Sequence, residues 1–436
     1  MSLVISTTFR TLSARLKSLV FPPHAVPGST LYAASTLAGA VGRGLWLPFS
    51  LLYFHLVIGL PLPLVGAGLT GAGIVGLLVT PAAGSLVDHF GARPLFIASF
   101  AAVGAGSLVY LVAHSFLPFL VGSIVISSAY SFNMPAGTAY VAELFPSEDR
   151  DWWFGFDRSA MNLGLSVGVL LSGWVASAGG TGAYHWLLFV SAVGYFITAA
   201  LVLAIPASPF QSGAPKQAGT ALQQVEKPLT YITILRDRPF LGFLATQATL
   251  FLSFAVLEVA MAPFLVENLH APAWGFSLLF TLNTIMVVVL QVPLMHLLGT
   301  MRRTRGIALG GFSYAFSYLL FAAVVGVPRP LLMPALVLTM IIYTLAEMFL
   351  SPTSYSLALA LAPEQARGRY MALFSLGGSL AFTVAPVMFT FLLTLSSSLF
   401  WLVLTGITTT AALGVLLLER RLPVHTLRAS RQEPEA

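Results

Sequence analysis

Twelve apolar runs of membrane-spanning length divide this chain, and they constrain its fold more than any other feature. They fall near residues 30–54, 64–87, 94–113, 116–142, 159–178, 184–205, 240–266, 274–298, 306–327, 331–361, 370–395 and 397–418. A bilayer core takes about 20 apolar residues per helix, so each run predicts one transmembrane helix. Of the 436 residues, 57% are hydrophobic and only 8% are charged. A soluble domain carries about 25% charged residues, and this chain lacks the material for a polar coat. The solvent around most of it is therefore lipid. The many glycines and prolines inside the runs fit membrane helices better than soluble ones. Cysteine is absent, which excludes disulfides, thiol chemistry and cysteine metal sites.

The basic residues set an orientation. If the twelve runs alternate in direction, 19 of the 21 Lys and Arg residues fall on one side. Arg329 falls on the other, and Arg43 lies inside the first run. The positive-inside rule then puts both termini in the cytoplasm of a multi-pass cell-membrane protein. The same distribution argues against nucleic acid, which needs clustered basic residues with polar neighbours. Residues 1–28 form a basic N-terminal segment. It has no continuous apolar core or cleavage site of a secretory signal. It reads equally as a surface helix on an anionic leaflet or as a basic tail. Residues 207–239 are rich in Pro, Gly, Gln and Lys and read as a cytoplasmic linker. That leaves six-helix units at 29–206 and 240–418 and a cytoplasmic tail at 419–436.

The two units look like repeats. Pro135, Pro146 and Arg150 recur as Pro352, Pro363 and Arg367, at an offset of 217. Pro48-Phe49 recurs as Pro263-Phe264 at an offset of 215, and Arg43 and Glu258 each stand five residues before that proline. Several matches at a nearly constant offset indicate duplication, so the halves should share one fold.

Between the second and third runs stands "GSLVDHFGAR". Its Gly84, Asp88, Gly91 and Arg93 fit the pattern G-x-x-x-D-x-x-G-x-R/K. Set in a twelve-span chain, this resembles the loop signature of the major facilitator superfamily. "APEQARGRYM" after the tenth run also resembles that family's loop at the same place. The resemblance implies an all-α integral membrane protein, with twelve helices in two pseudo-symmetric six-helix bundles. It implies too that Asp88 and Arg93 latch the cytoplasmic side when the protein opens outward. The second half keeps a basic loop, "LLGTMRRTR", but has no acid matching Asp88. In the fifth run, Gly164, Gly168 and Gly173 resemble the family's antiporter motif, with Val169 and Ser172 departing from it. Small residues at such spacing also let helices pack closely.

Three ionisable residues lie deep in the runs: Arg43, Glu258 and Glu347. Such groups are costly in lipid and face a cavity or a partner. The shared offset pairs Arg43 with Glu258. Glu347 is left without a base, and its desolvation suits it to load and release a proton near neutral pH. Glu267 and Arg329 sit near the outer rim and read as solvated ends. Tyr53, Tyr130, Asn133, Gln247, Asn283, Gln291 and Tyr343 are candidates to line a central cavity. Tyr355 is also polar at mid-span. No histidine has metal-ligand spacing, and no phosphate-binding loop of the G-x-x-x-x-G-K-S/T type occurs.

The expected function is secondary transport of a small, amphipathic solute by alternating access, without a cofactor. The resemblance is greatest to bacterial drug:proton antiporters, which implies proton-coupled efflux by a monomer in a lipid bilayer. A symporter or uniporter for a sugar, amino acid or organic acid is the alternative. A membrane-embedded enzyme would need a nucleophile and base or a metal cluster at membrane depth, and the sequence shows none.

Overall fold

The structure, a computed structural model, describes residues 26–206, 234, 236–298 and 301–427. The N-terminal segment up to residue 25, most of the 207–239 linker and the end of the tail lie outside them. The described chain forms twelve membrane-length helices. The first half contains α1 (Ser29–Val57), α2 (Leu62–Phe90), α3 (Ala92–Leu111), α4 (Phe116–Leu144), α5 (Arg150–Ser177) and α6 (Thr181–Ala204). The second contains α7 (Arg238–Asn268), α8 (Ala273–Leu298), α9 (Arg303–Val324), α10 (Arg329–Leu361), α11 (Arg367–Leu395) and α12 (Ser397–Leu418). Large side chains such as Leu78 and Trp174 are 74% and 76% exposed, which suits a surface solvated by lipid.

The halves repeat each other in packing as well as in sequence. In the first, α1 packs on α5 and α6, α3 on α4 and α6, and α2 on α4. In the second, α7 packs on α11 and α12, α9 on α10 and α12, and α8 on α10. The seams between halves are paired too, α2 with α11 and α8 with α5.

Helix ends follow local chemistry. Pro63, Pro239 and Pro330 sit in the first turns of α2, α7 and α10, where a missing N–H costs nothing. Asp237 caps α7 by accepting from the Phe240 N–H. α1 and α7 end alike: the Leu60 N–H bonds to Phe54 O, and the Ala271 N–H to Leu265 O. The residue before each is left-handed, Gly59 at φ 80° and His270 at φ 48°. These matches are at an offset of 211, against 215 for the prolines. Pro48 and Pro263 therefore stand about one helical turn out of step and do not hold equivalent places in α1 and α7. A 3₁₀ segment at Leu47–Phe49 in α1 stands where α7 has a π turn at Val256–Ala260.

α5 begins at Arg150 and not near 159. Hydropathy marks where lipid begins, whereas the helix runs on through the polar "RDWWFGFDR".

Candidate functional site

We call the end where α2 gives way to α3 the basic face, and the other end the opposite face. Near the opposite face the halves are sealed. The Thr70 hydroxyl donates to Thr383 O, and the Val387 N–H donates to Thr70 Oγ1, joining α2 to α11. The Ser277 hydroxyl donates to Val169 O and the Trp274 N–H to Ser177 Oγ, joining α8 to α5. Phe49 and Phe276 pack ring against ring at 5.8 Å. Toward the basic face α2 leaves this contact: Gly84 has open space where a side chain would sit, and Asp88 is exposed.

The deep charges lie between these ends. Arg43 Nη2 is 3.8 Å from Glu258 Oε2, and the two side chains are 38% and 29% exposed. Both belong to the middle of their spans, so solvent-accessible space reaches that depth. The π turn of α7 carries Glu258, and its widened backbone alters the helical register just there. The Arg43 guanidinium also stands over the Tyr130 ring of α4, 5.8 Å from its centroid. The Tyr130 hydroxyl is 2.8 Å from that of Tyr195 on α6.

Glu347 on α10 is held differently. Asn283 Nδ2 of α8 donates to Glu347 Oε2 at 2.7 Å and to Thr344 Oγ1 at 3.2 Å. No Lys, Arg or His pairs with Glu347 among the described residues. It lies close enough to Glu258 for the two carboxylates to interact. The structure thus brings Arg43, Glu258, Glu347, Tyr130 and Asn283 into one central region.

Other expected residues lie elsewhere. Tyr53, Gln247 and Tyr343 are only 1%, 0% and 1% exposed and offer no surface to a cavity. The Tyr53 hydroxyl donates to Tyr110 O and that of Tyr343 to Ser253 O. Helix packing consumes them. Asn133 donates to Ser99 Oγ, and Gln291 to Met348 O. Tyr355 is 51% exposed beside Phe374. A side chain at Gly164 would strike Ala40, and one at Gly168 would meet Val41 O and the Gly44 backbone, so both set the closeness of α5 to α1. Gly173 faces Ser277 of the other half.

Glu267 is not a solvated end. It is 21% exposed and 3.9 Å from His55 Nε2 of α1, across the seam. Sequence reasoning also missed Asp157, whose two oxygens accept from Tyr32 OH at 2.5 Å and Thr36 Oγ1 at 3.1 Å. Tyr32 and Thr36 are four apart on α1, a spacing that presents both to one neighbour.

In the signature loop, Arg93 Nη2 donates to Leu203 O and Ile205 O and so closes the C-terminus of α6. In the second half, Glu419 gathers Arg302, Thr304 and Arg305. An acid does serve that loop, but it comes from the end of α12.

The sequence model of the Major Facilitator Superfamily matches two overlapping stretches, residues 31–259 and 243–436. The chain belongs to this family. It is therefore a multi-pass membrane transporter and not an enzyme. Among relatives, Multidrug resistance protein MdtH of Aeromonas salmonicida is 24% identical over 338 residues, 74% of each chain. Quinolone resistance protein NorA of Staphylococcus aureus is 21% identical over 259 residues, 56% of this chain and 64% of its own. A mutant of the nucleoside transporter NupG superposes with a TM-score of 0.72 at 16% identity, over 90% of this chain and 99% of that one. The peptide transporter POT in complex with sulfate superposes with a TM-score of 0.70 at 16% identity, over 94% and 98%. At these identities the solved structures establish the major facilitator fold alone.

Proposed function

We propose that this major facilitator transporter exports an amphipathic, cationic solute in exchange for protons. The observation that carries the reading is Glu347: a carboxyl group within the bundle, tied only to neutral partners among the described residues, while Glu258 has Arg43. A carboxylate without a base can be neutralised by a proton or by a cation, but not by both at once. Competition for one site is the simplest antiport mechanism. Asn283 fits both states, because its amide can donate to the ionised oxygen or accept from the protonated one. The names of the multidrug and quinolone resistance relatives favour the same reading.

The basic face is then cytoplasmic in the cell membrane, and this conformer faces inward. Residues 29–206 and 240–418 are the rocking halves, joined by 207–239. Asp88 latches the cytoplasmic side in the other state, when the seams open outward.

The test is binding of tetraphenylphosphonium to purified protein between about pH 5 and pH 9, with proton release measured in parallel. Glu347→Gln is expected to remove proton release and the pH dependence of binding. Glu258→Gln is expected to keep both while losing stability. If Glu347→Gln still releases a proton on binding, Glu347 is not the carrier.

A further inference from the structure

We propose that the second half encloses a water-binding site, built between α7, α9 and α10 and set beside the two deep carboxylates. Three hydroxyls define it: Ser253 of α7 and Tyr314 and Tyr318 of α9. Each of these oxygens is buried and makes no hydrogen bond. The inference does not depend on the exchange reaction above.

The packing gathers the three at one place. Tyr343 of α10 has its ring centroid 4.9 Å from that of Tyr314 and 6.4 Å from that of Tyr318, and the last two rings stack at 5.9 Å. Tyr343 donates its hydrogen to Ser253 O. The Tyr318 hydroxyl faces Ser253 and the Tyr314 hydroxyl faces Tyr343, yet neither approach closes into a hydrogen bond. A polar approach that stops short of a bond is where a water molecule bridges. The partners suffice, because each free hydroxyl can donate and accept and the Tyr343 oxygen can still accept. Rings packed this closely admit a molecule of one heavy atom, and water meets both needs. The Trp401 ring of α12 stacks on Tyr318 at 5.6 Å, and its Nε1 is another buried donor without a bond.

A buried hydroxyl left unpaired carries its full cost of desolvation, so nearly all such groups find protein or water. The first half keeps that rule with protein alone. There α1, α3 and α4 are the counterparts of α7, α9 and α10, and they hold tyrosines too. The Tyr53 hydroxyl of α1 donates to Tyr110 O of α3, and the Tyr110 hydroxyl pairs with Ser123 Oγ of α4 at 2.8 Å. Among the described residues, ten buried side-chain polar atoms make no hydrogen bond, and nine of them belong to the second half. Two halves of one fold therefore differ in how their interiors are satisfied. General looseness of packing would strike both alike.

Placement gives the site its use. Tyr343 and Glu347 are four residues apart on α10 and share a face. Tyr314 and Tyr343 both lie within electrostatic reach of Glu347, and Tyr343 within reach of Glu258. Neither tyrosine offers surface to the cavity. Water held behind them gives an ionised carboxylate a polar neighbour that the cavity does not supply.

The test uses purified full-length protein in detergent. X-ray radiolysis turns bound water into hydroxyl radicals, which oxidise the side chains beside it even where bulk solvent is excluded. Tyr314 and Tyr318 should be oxidised several-fold faster than Tyr53 and Tyr110, which are buried too but bonded to protein. Stability gives a second reading, by its sign. Ser253→Ala, Tyr314→Phe and Tyr318→Phe each delete one hydroxyl and keep the rest of the side chain. In a dry core the deletion removes an unpaired group, and the melting temperature rises. At a water site it removes an anchor, and the melting temperature falls by a few degrees. Each variant should also slow oxidation at the tyrosines that remain. The oxidation ratio in the unaltered protein decides even where a variant fails to fold. The proposal is overturned if Tyr314 and Tyr318 are oxidised no faster than Tyr53 and Tyr110, or if the three variants melt at or above the parent temperature.

Discussion

The Arg43 guanidinium stands 3.8 Å from the Glu258 carboxylate, one on each side of the seam between the halves. Both lie in spans, so neither can be left alone cheaply. Glu258→Gln strands the guanidinium, and Arg43→Met strands the carboxylate. A fully buried pair broken this way costs about 3–5 kcal/mol. These side chains are about a third exposed, so roughly 1–3 kcal/mol is expected. The double variant should recover more than half of the loss in melting temperature. Additive losses would show that the two charges do not act as a pair.

Asp88 and Arg93 share one signature but should fail in different ways. Arg93 closes α6 through two backbone carbonyls of its own half. Arg93→Ala is expected to destabilise the first half by about 1–2 kcal/mol. Asp88 is exposed and has no hydrogen-bond or ion-pair partner among the described residues. Any stabilisation it brings belongs to the other state. Asp88→Asn should slow transport while leaving the melting temperature of this state and substrate binding nearly unchanged. Wild-type transport rates in Asp88→Asn would sink the latch.

The fold was legible because lipid imposes a simple rule. Each crossing needs a long apolar run, and twelve such runs with one-sided charge leave little choice. The pairing of Arg43 with Glu258 was legible, although the prolines that suggested it do not hold equivalent places in α1 and α7. What faces the cavity was not legible. A polar residue in a span can point at solvent or at another helix, and one sequence does not give the rotation of a helix. Gln247 and Tyr343 turned into the packing for that reason. Asp157 escaped notice because it precedes the apolar part of α5. Glu419 and His55 find their partners more than a hundred residues away, through contacts that no local pattern announces.

Orientation can be read directly in intact cells, since the chain has no native cysteine. Thr181 is exposed at the start of α6, at the opposite face. Glu364, 87% exposed, stands in the turn between α10 and α11 at the basic face. An impermeant maleimide should label Thr181→Cys from outside and Glu364→Cys only after lysis. The reverse pattern would invert the orientation, and equal labelling would break the span count.

Two glycines separate stability from alternation. Gly168 lies within the first half, where an added Cβ would meet Val41 O and, at 2.8 Å, the Gly44 Cα. On the proposed rocking of the halves, the α1–α5 contact lies within one half and persists in both states. Gly168→Ala should therefore lower the melting temperature, at a cost of about 1–3 kcal/mol, without favouring either state. Gly66 lies on the seam between halves, where a Cβ would meet Thr390 Oγ1 and Pro386 O of α11. The hydroxyl can rotate aside, but the proline carbonyl is backbone and cannot. That contact forms only while the opposite face is closed. Gly66→Ala penalises closure alone, and the alanine improves helix propensity in the open state. The protein can escape the clash by opening, so its melting temperature should fall less than that of Gly168→Ala. The distance between spin labels at Val112→Cys and Leu331→Cys, one in each half at the opposite face, should lengthen in Gly66→Ala and stay unchanged in Gly168→Ala. If Gly66→Ala loses stability as Gly168→Ala does and the distance does not move, the α2–α11 seam does not open during transport.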